Sequence, residues 1–294
     1  MDWQEQLIGL YLEICELHEQ ELWVTLQRFS NNNDPKFTDC EVATVYLWGI
    51  LCGYQENKDT HKYVRRHLME WFPHFPKYSA YIDRINRLDD FLCALTYRFS
   101  RYLPYHTVQQ FSQVIDSMPI MMAKRNNSYR AKVAPELASR TWHPVKEMYY
   151  YGVKVHAIGF VRPGTLPLPG ALFVTTASQH DLPAMRPLAE DIHFGRFIGD
   201  KAYSDTTLNV QLEEQGAELI TPIKRNRNDP PLTLFQNAYN TLVSKLRQPI
   251  ESFFNWVEAA VKIENASKVR SAKGLKIHLW GKLAVAILVL AWEI

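Results

Sequence analysis

The sequence is poor in cysteine, in glycine and in unbroken apolar stretches, and each shortage closes off a class of protein. Its 294 residues include four cysteines, Cys15, Cys40, Cys52 and Cys93, all in the first third. No pair has the C-x-x-C spacing of a zinc or dithiol redox site, so the four read as reduced thiols in a reducing cytosol. Twelve Gly and 16 Pro are too few for a collagen-like or low-complexity chain. The longest apolar run, Leu283–Trp292, is about half of the roughly 20 residues that span a bilayer. The start, MDWQEQLIGLYLEICELHEQE, carries acids where a signal peptide needs a basic stretch. These features predict a soluble, cytoplasmic protein. There is no Gly-Lys-Ser phosphate loop, no G-x-S-x-G and no H-E-x-x-H, so nucleotide hydrolysis, esterase and zincin chemistries lack support.

What is present suits a folded chain of two domains: 47% hydrophobic, 13% aromatic and 22% charged residues. The net charge of +2 hides an uneven distribution. Residues 1–60 carry 3 Lys+Arg against 11 Asp+Glu, residues 61–110 carry 8 against 4, residues 121–154 carry 7 against 2, and residues 221–282 carry 11 against 4. Three basic blocks behind an acidic leader can form the footprint of a polyanion, or simply solvated faces.

The first hundred residues read as helices. Apolar residues recur every three to five positions over 3–29, and Asn31-Asn32-Asn33-Asp34-Pro35 breaks the pattern. Thr38-Asp39-Cys40-Glu41 fits a capping box for a helix that ends at Gly53. The basic stretch 61–67 then leads through two Phe-Pro steps into a last helix over about 79–99. This suits a helix-turn-helix-like DNA reader, and suits a plain helical bundle almost as well.

From about residue 110 the pattern changes. Strands are predicted over 114–120, 148–160, 171–177, 194–203 and 218–225, with helices over 182–192, 205–214 and about 232–262. The β-β-β-α-β-α-β-α order predicts a mixed sheet with helices packed on it. Two acids need a reason to be there. Asp116 interrupts an apolar strand and Asp200 ends a later one, and a carboxylate beside a hydrophobic sheet is costly unless it is paired or holds a metal. A third acid from the long helix, Glu251 or Glu258, would complete an oxygen cage for hard divalent cations. Arg247, four residues before Glu251, can brace that carboxylate or touch a phosphate. His156 and His180-Asp181 read as proton shuttles, ligands or satisfied structural groups.

Asp116 within VIDSMPI, Asp200 within FIGDKAY, TPIKRN at 221–226 and Arg247-x-x-x-Glu251 within RQPIESFFNW together resemble the DDE transposases of bacterial insertion sequences. With Thr38–Leu47, the Phe-Pro pair near 72–76 and the RSAKGL run from Arg270, the chain is similar to the insertion-sequence family numbered 982. The resemblance implies an all-α, helix-turn-helix-like DNA-binding domain over 1–107. It implies an α/β ribonuclease-H-like catalytic domain, a mixed sheet flanked by helices, over 108–294. It implies Asp116, Asp200 and Glu251 as catalytic acids and ligands of two Mg²⁺, with Mn²⁺ as substitute. The expected activity is binding of terminal inverted repeats followed by strand cleavage and transfer, by a homodimer or larger oligomer on bacterial or archaeal nucleoid DNA, without a membrane. The expected DNA contacts are Arg65, Arg66, Lys124, Arg125, Arg130, Lys201, Lys224, Arg225, Arg227, Arg247, Arg270 and Lys273. Related transposases often have a Tyr three residues before the Arg and a Lys seven after the Glu, where this chain has Ser244 and Glu258. A nuclease that does not join, or a non-catalytic DNA-binding protein, are the alternative readings.

Overall fold

The computed structural model describes residues 2–22, 35–109, 111–189, 194–225 and 229–292. The chain forms two compact units, one of residues 1–103 with 257–294 and one of residues 104–256. The division expected from the sequence lies near residue 107, with residues 108–294 as one domain. The last 38 residues, expected with the catalytic domain, group instead with the N-terminal helices.

In the helical unit, α1 (Trp3–Leu17) begins at an Asp2 capping box, and α2 (Asp39–Leu51) at the Thr38 box. Glu41 N–H donates to the Thr38 hydroxyl at 3.1 Å and Thr38 N–H to the Glu41 carboxylate at 2.5 Å. α3 (Asn57–His67) carries the basic stretch. The single helix expected over 79–99 is two, α4 (Tyr78–Ile85) and α5 (Asp89–Ser100), separated by a turn at Asn86–Leu88. The amphipathic run expected to residue 29 is helical to Leu22, its last five residues as a π-helical turn, and the rest lies outside the described residues.

The last helix, α10 (Ala272–Trp292), is apolar all round and packs against α5 and α2. By length and composition it could cross a membrane, but 61% of its most apolar window is buried in the protein, as in a core helix. Lys282 is buried among these side chains. Its ammonium donates to Gln55 Oε1 and to the Lys262 carbonyl, each at 2.8 Å.

The second unit is built on a six-stranded mixed sheet in the order β2-β3-β1-β5-β6, with β4 on β3. Its strands are β1 (Ser112–Lys124), β2 (Ser139–His143), β3 (Met148–Phe160), β4 (Leu168–Thr176), β5 (Gly195–Ile198) and β6 (Ala217–Ile220). β3, rich in aromatic and β-branched residues, is the longest shared seam. One edge pairs antiparallel with β1; the other takes β2 along Met148–Gly152 and β4 along Val153–Phe160. β1, β5 and β6 run parallel. The helices are α6 (Asn126–Arg130), α7 (Asp181–Ala189), α8 (Thr206–Glu214) and α9 (Leu234–Val261), the last continuing through Pro249 rather than starting or breaking there.

The predicted element order is present. The sequence reading misses α6 and β2, five residues each, inside the stretch between Lys124 and Met148. Two strands are shorter than predicted. β5 stops at Ile198, where Asp200 caps a 3-10 turn, and β6 stops at Ile220. Pro119 sits inside β1 because β5 pairs only with Ser112–Val114, leaving that edge of β1 without a strand partner at Pro119.

At Gly152, opposite a register shift between Met121 and Ala123, a Cβ would lie 1.9 Å from the Ile120 carbonyl oxygen. Gly152→Ala therefore has to push two backbones apart. We expect a loss of about 1–3 kcal/mol or more in the unfolding of the sheet unit, measured by urea denaturation with hydrogen exchange to separate the two units.

Candidate active site

Register alone brings the two strand acids together. Val114 pairs with Ile198 across the parallel β1–β5 ladder, and Asp116 and Asp200 each lie two residues further on. Continued by one side-chain period, the ladder sets the two carboxylates beside one another on one face. Gly199 makes this turn possible at close quarters, since a Cβ there would meet the Tyr203 ring at 3.0 Å and the Ile115 side chain at 3.2 Å.

α9 covers that face. The Arg247 guanidinium, its side chain 14% exposed, donates to Asp116 Oδ2 at 3.1 Å and lies 3.5 Å from Glu251 Oε1 one helical turn on. Arg247 thus braces the acids rather than presenting itself on the surface. Asp116 Oδ1 accepts from Ser117 N–H at 2.8 Å. Asp200 accepts from Ala202 N–H. The Glu251 side chain is 56% exposed. Glu258, in the helical unit, accepts from Glu264 N–H at 2.8 Å.

Burial raises the Asp116 carboxyl from its ordinary 3.8 to about 6, overcoming the Ser117 amide and Arg247, and the charges of Asp200 and Asp181 push the same way. Tyr203 is buried beside these groups. Burial, then the fields of Asp181, Asp116 and Asp200, hold its hydroxyl firmly protonated.

A second charged layer lies on the opposite side of β1. Ser117 Oγ donates to Asp181 Oδ1 at 3.2 Å, and Lys154 Nζ donates to the same oxygen at 2.9 Å and to the Gln179 carbonyl at 3.1 Å. Asp181, named from the sequence only alongside His180, therefore stands close to Asp116 and belongs with the site. The signal for it was Lys154, a cation inside an otherwise apolar strand that needs an anion. His180 is exposed. His156 is fully buried, its Nε2 sharing a hydrogen bond with Thr175 Oγ1 at 2.8 Å and its ring stacked on Phe173 at 4.6 Å. Burial lowers its pKa to about 4, so it is a neutral structural group at pH 7.

Among the described residues no three His, Cys, Asp or Glu side chains close into a metal-binding cluster. The three-carboxylate cage expected from the sequence is resolved into Asp116 beside Asp200, with Glu251 joined to Asp116 through Arg247. The expected DNA contacts fall elsewhere. Arg65, Arg66, Lys124, Arg125, Arg130, Lys201, Lys224, Arg225 and Lys273 are exposed, although Arg225 also donates to the Asp229 carbonyl. Arg270 is exposed too, but its Nη1 is taken up by the Ser267 and Val269 carbonyls at 2.8 Å. Arg227 lies outside the described residues.

Residues 107–272, more than half of the chain, match the family described as transposase DDE domain. The chain belongs to the DDE transposase family. No curated protein and no solved structure gives a match. The matched span holds both strand acids, Asp181 and the Arg247–Glu251 turn of α9, and stops where α10 begins. A DDE domain of this kind belongs to an enzyme acting on DNA, and such domains generally use divalent metals.

The Asp116 shift has a thermodynamic consequence. The native state holds this proton more tightly than the unfolded chain, so the group's contribution to stability is full below about pH 4 and is lost as pH rises through about 6. Asp116→Asn removes that loss. We expect the variant to match the wild type near pH 4 and to exceed it by about 1–3 kcal/mol at pH 8 in the absence of divalent cations. Denaturant titrations at the two pH values measure the difference.

Proposed function

We propose that this chain is an insertion-sequence transposase that binds the terminal inverted repeats of its element, cleaves the DNA at their ends and transfers the freed strand to target DNA. The observation that carries this reading is the placement of Asp116 and Asp200 each two residues beyond the last β1–β5 pair, with Arg247 joining Asp116 to Glu251.

The donor set fits hard divalent cations such as Mg²⁺ or Mn²⁺. Its oxygens are carboxylate, and Asp116 is desolvated and repelled by Asp200, a demand for positive charge that Arg247 meets only in part. Asp116, Asp200 and Glu251 would hold them. Bound cations would polarise the attacking and leaving oxygens of an in-line phosphoryl displacement. Water attacks first and breaks a P–O bond to give a 3′-hydroxyl and a 5′-phosphate. That 3′-hydroxyl then attacks a phosphodiester of the target, forming the new P–O bond as the target strand's 3′-oxygen leaves and takes up a proton. Arg247 keeps Asp116 ionised and holds Glu251 over the strand acids. Lys154 engages Asp181, so that this acid adds field rather than competing for the substrate. Tyr203, protonated throughout, keeps its hydroxyl buried near the acids and without a hydrogen-bond partner among the described residues.

In this reading the helical residues 1–107 recognise the repeats, with Arg65 and Arg66 on the exposed side of α3. Lys124, Arg125, Arg130, Lys201, Lys224, Arg225 and Lys273 neutralise backbone phosphates. The protein acts on nucleoid DNA in the cytoplasm as a homodimer or larger oligomer. The narrower placement in the family numbered 982 rests on the sequence motifs.

Asp200→Asn and Glu251→Gln are expected to lower Mg²⁺-dependent strand transfer about 10²-fold or more, the several kcal/mol that metal-held carboxylates contribute, while repeat-duplex affinity is retained. Glu258→Gln should leave substantial activity. A labelled repeat-end duplex scored for both cleavage and joining checks all three, and cleavage without joining would make the enzyme a nuclease instead. Wild-type cleavage in excess EDTA would overturn the metal reading.

Duplex binding should also be steeply salt-dependent, because contacts to several phosphates release counterions. Between about 50 and 200 mM salt, six or more contacts lower affinity about 10³-fold, a range that fluorescence anisotropy covers.

A further inference from the structure

The two short elements between β1 and β3 build a groove of about 810 Å³ in the sheet unit. Its central feature is a tier of flat groups. The Arg140 guanidinium lies 3.7 Å from the centre of the Tyr149 ring and 5.5 Å from that of Tyr129. Its Nε donates to Ser128 Oγ at 3.3 Å, which fixes the plane. Trp142, the cross-strand partner of Tyr149, packs edge-on against it at 5.0 Å.

Tyr129 is 79% exposed, Trp142 47% and Tyr149 43%. Three large rings left partly in water side by side are a cost to a monomer unless something covers them. Arg125 and Arg130 stand at the same groove with exposed side chains. Arg125 also has a backbone φ of 54°, a conformation L residues rarely adopt, at the point where β1 turns into α6.

We propose that this groove binds an unpaired nucleotide of the DNA substrate. Its base joins the Tyr129–Arg140–Tyr149 tier and its flanking phosphates lie against Arg125 and Arg130. Duplex backbone needs cations alone, since its bases are already stacked on each other and have no face to offer. Exposed π-faces and a guanidinium plane instead suit an unstacked base, whatever its identity. The groove volume lies in the range of small-ligand sites. Glu147 on its rim repels phosphate and accepts from an amino or ring N–H, so the base points inward. The proposal rests on DNA being the substrate, as argued above, and adds a subsite for DNA whose pairing has been opened.

The test uses the full chain in EDTA, so that no cleavage occurs, with a labelled ten-nucleotide single strand and the same strand annealed to its complement. Tyr129→Ala, at a site too exposed to support the core, is expected to weaken single-strand binding about tenfold, the stacking of one base, and to change duplex binding less than twofold. Tyr129→Phe should restore the single-strand affinity. An equal loss on both substrates would make the groove a backbone clamp and overturn the proposal, as would unchanged single-strand binding in Tyr129→Ala. Absence of Mg²⁺-dependent cleavage by the wild type, with this binding pattern intact, would sink the transposase reading and leave the nucleotide subsite standing.

Discussion

A carboxylate on the central strand of a sheet needs a counter-charge, and in this fold Arg247 supplies it to Asp116. The pair does more than balance charge. It docks α9 on the sheet in one register, because a guanidinium 14% exposed and a carboxylate 20% exposed cannot slide along the helix without one of them losing its partner. Truncating Arg247 would leave the buried Asp116 carboxylate without its counter-charge, typically at a cost of about 3–5 kcal/mol, so the contact fixes where α9 lies even though its own net worth is small. Ile250 then seats 3.5 Å from the position a Cβ would take on Gly159, an ordinary packing distance that brings α9 against β3. The strand register sets the spacing of the two strand acids, and this contact sets the position of the helix that carries Glu251.

The charges around β1 are divided between its two sides. Asp181 is held by Lys154 and by the Ser117 hydroxyl, and its environment is closed. Among the described residues Asp200 is held by an amide of the turn it caps, and Glu251 is half-exposed. One acid is thus engaged in structure, one is shared with Arg247, and two retain free lone pairs. An enzyme that must bind a phosphate needs accessible oxygens at the site and a surrounding field that keeps them from being protonated. Here burial raises Asp116 while Arg247 restrains the rise, a balance that places its titration near neutrality.

Much of this was legible from the residues. Runs rich in aromatic and β-branched residues marked β3 and β4, the capping box at Thr38 marked α2, and the long helix read over about 232–262 marked α9. Asp116 and Asp200 declared themselves as polar interruptions of apolar strands. What could not be read has physical causes. β2 and α6 are five residues each, too short for any periodicity, and their polar residues look like a loop. The break between α4 and α5 falls at Asn86–Leu88, where no Gly or Pro marks it. Asp181 follows a turn and precedes a helix, as ordinary capping acids do, and only its tertiary partner Lys154 sets it apart. The joining of α10 to the N-terminal helices depends on an all-round apolar surface that matches no particular face.

The choice between Glu251 and Glu258 shows how local geometry decides what spacing cannot. Seven residues apart, they project from one face of α9, about 10 Å apart along its axis. Glu251 shares Arg247 with Asp116, so its carboxylate belongs to the charge system of the strand acids. Glu258 is spent differently. One of its oxygens accepts the Glu264 amide just beyond the end of α9, and its charge favours the ammonium of the buried Lys282, which burial even so pushes down to about 8. A carboxylate that closes a helix end and supports a buried lysine cannot leave those tasks to bind a cation without uncovering both. The acid at this position thus serves the helix end and the buried lysine of α10 rather than the chemistry of the strand acids.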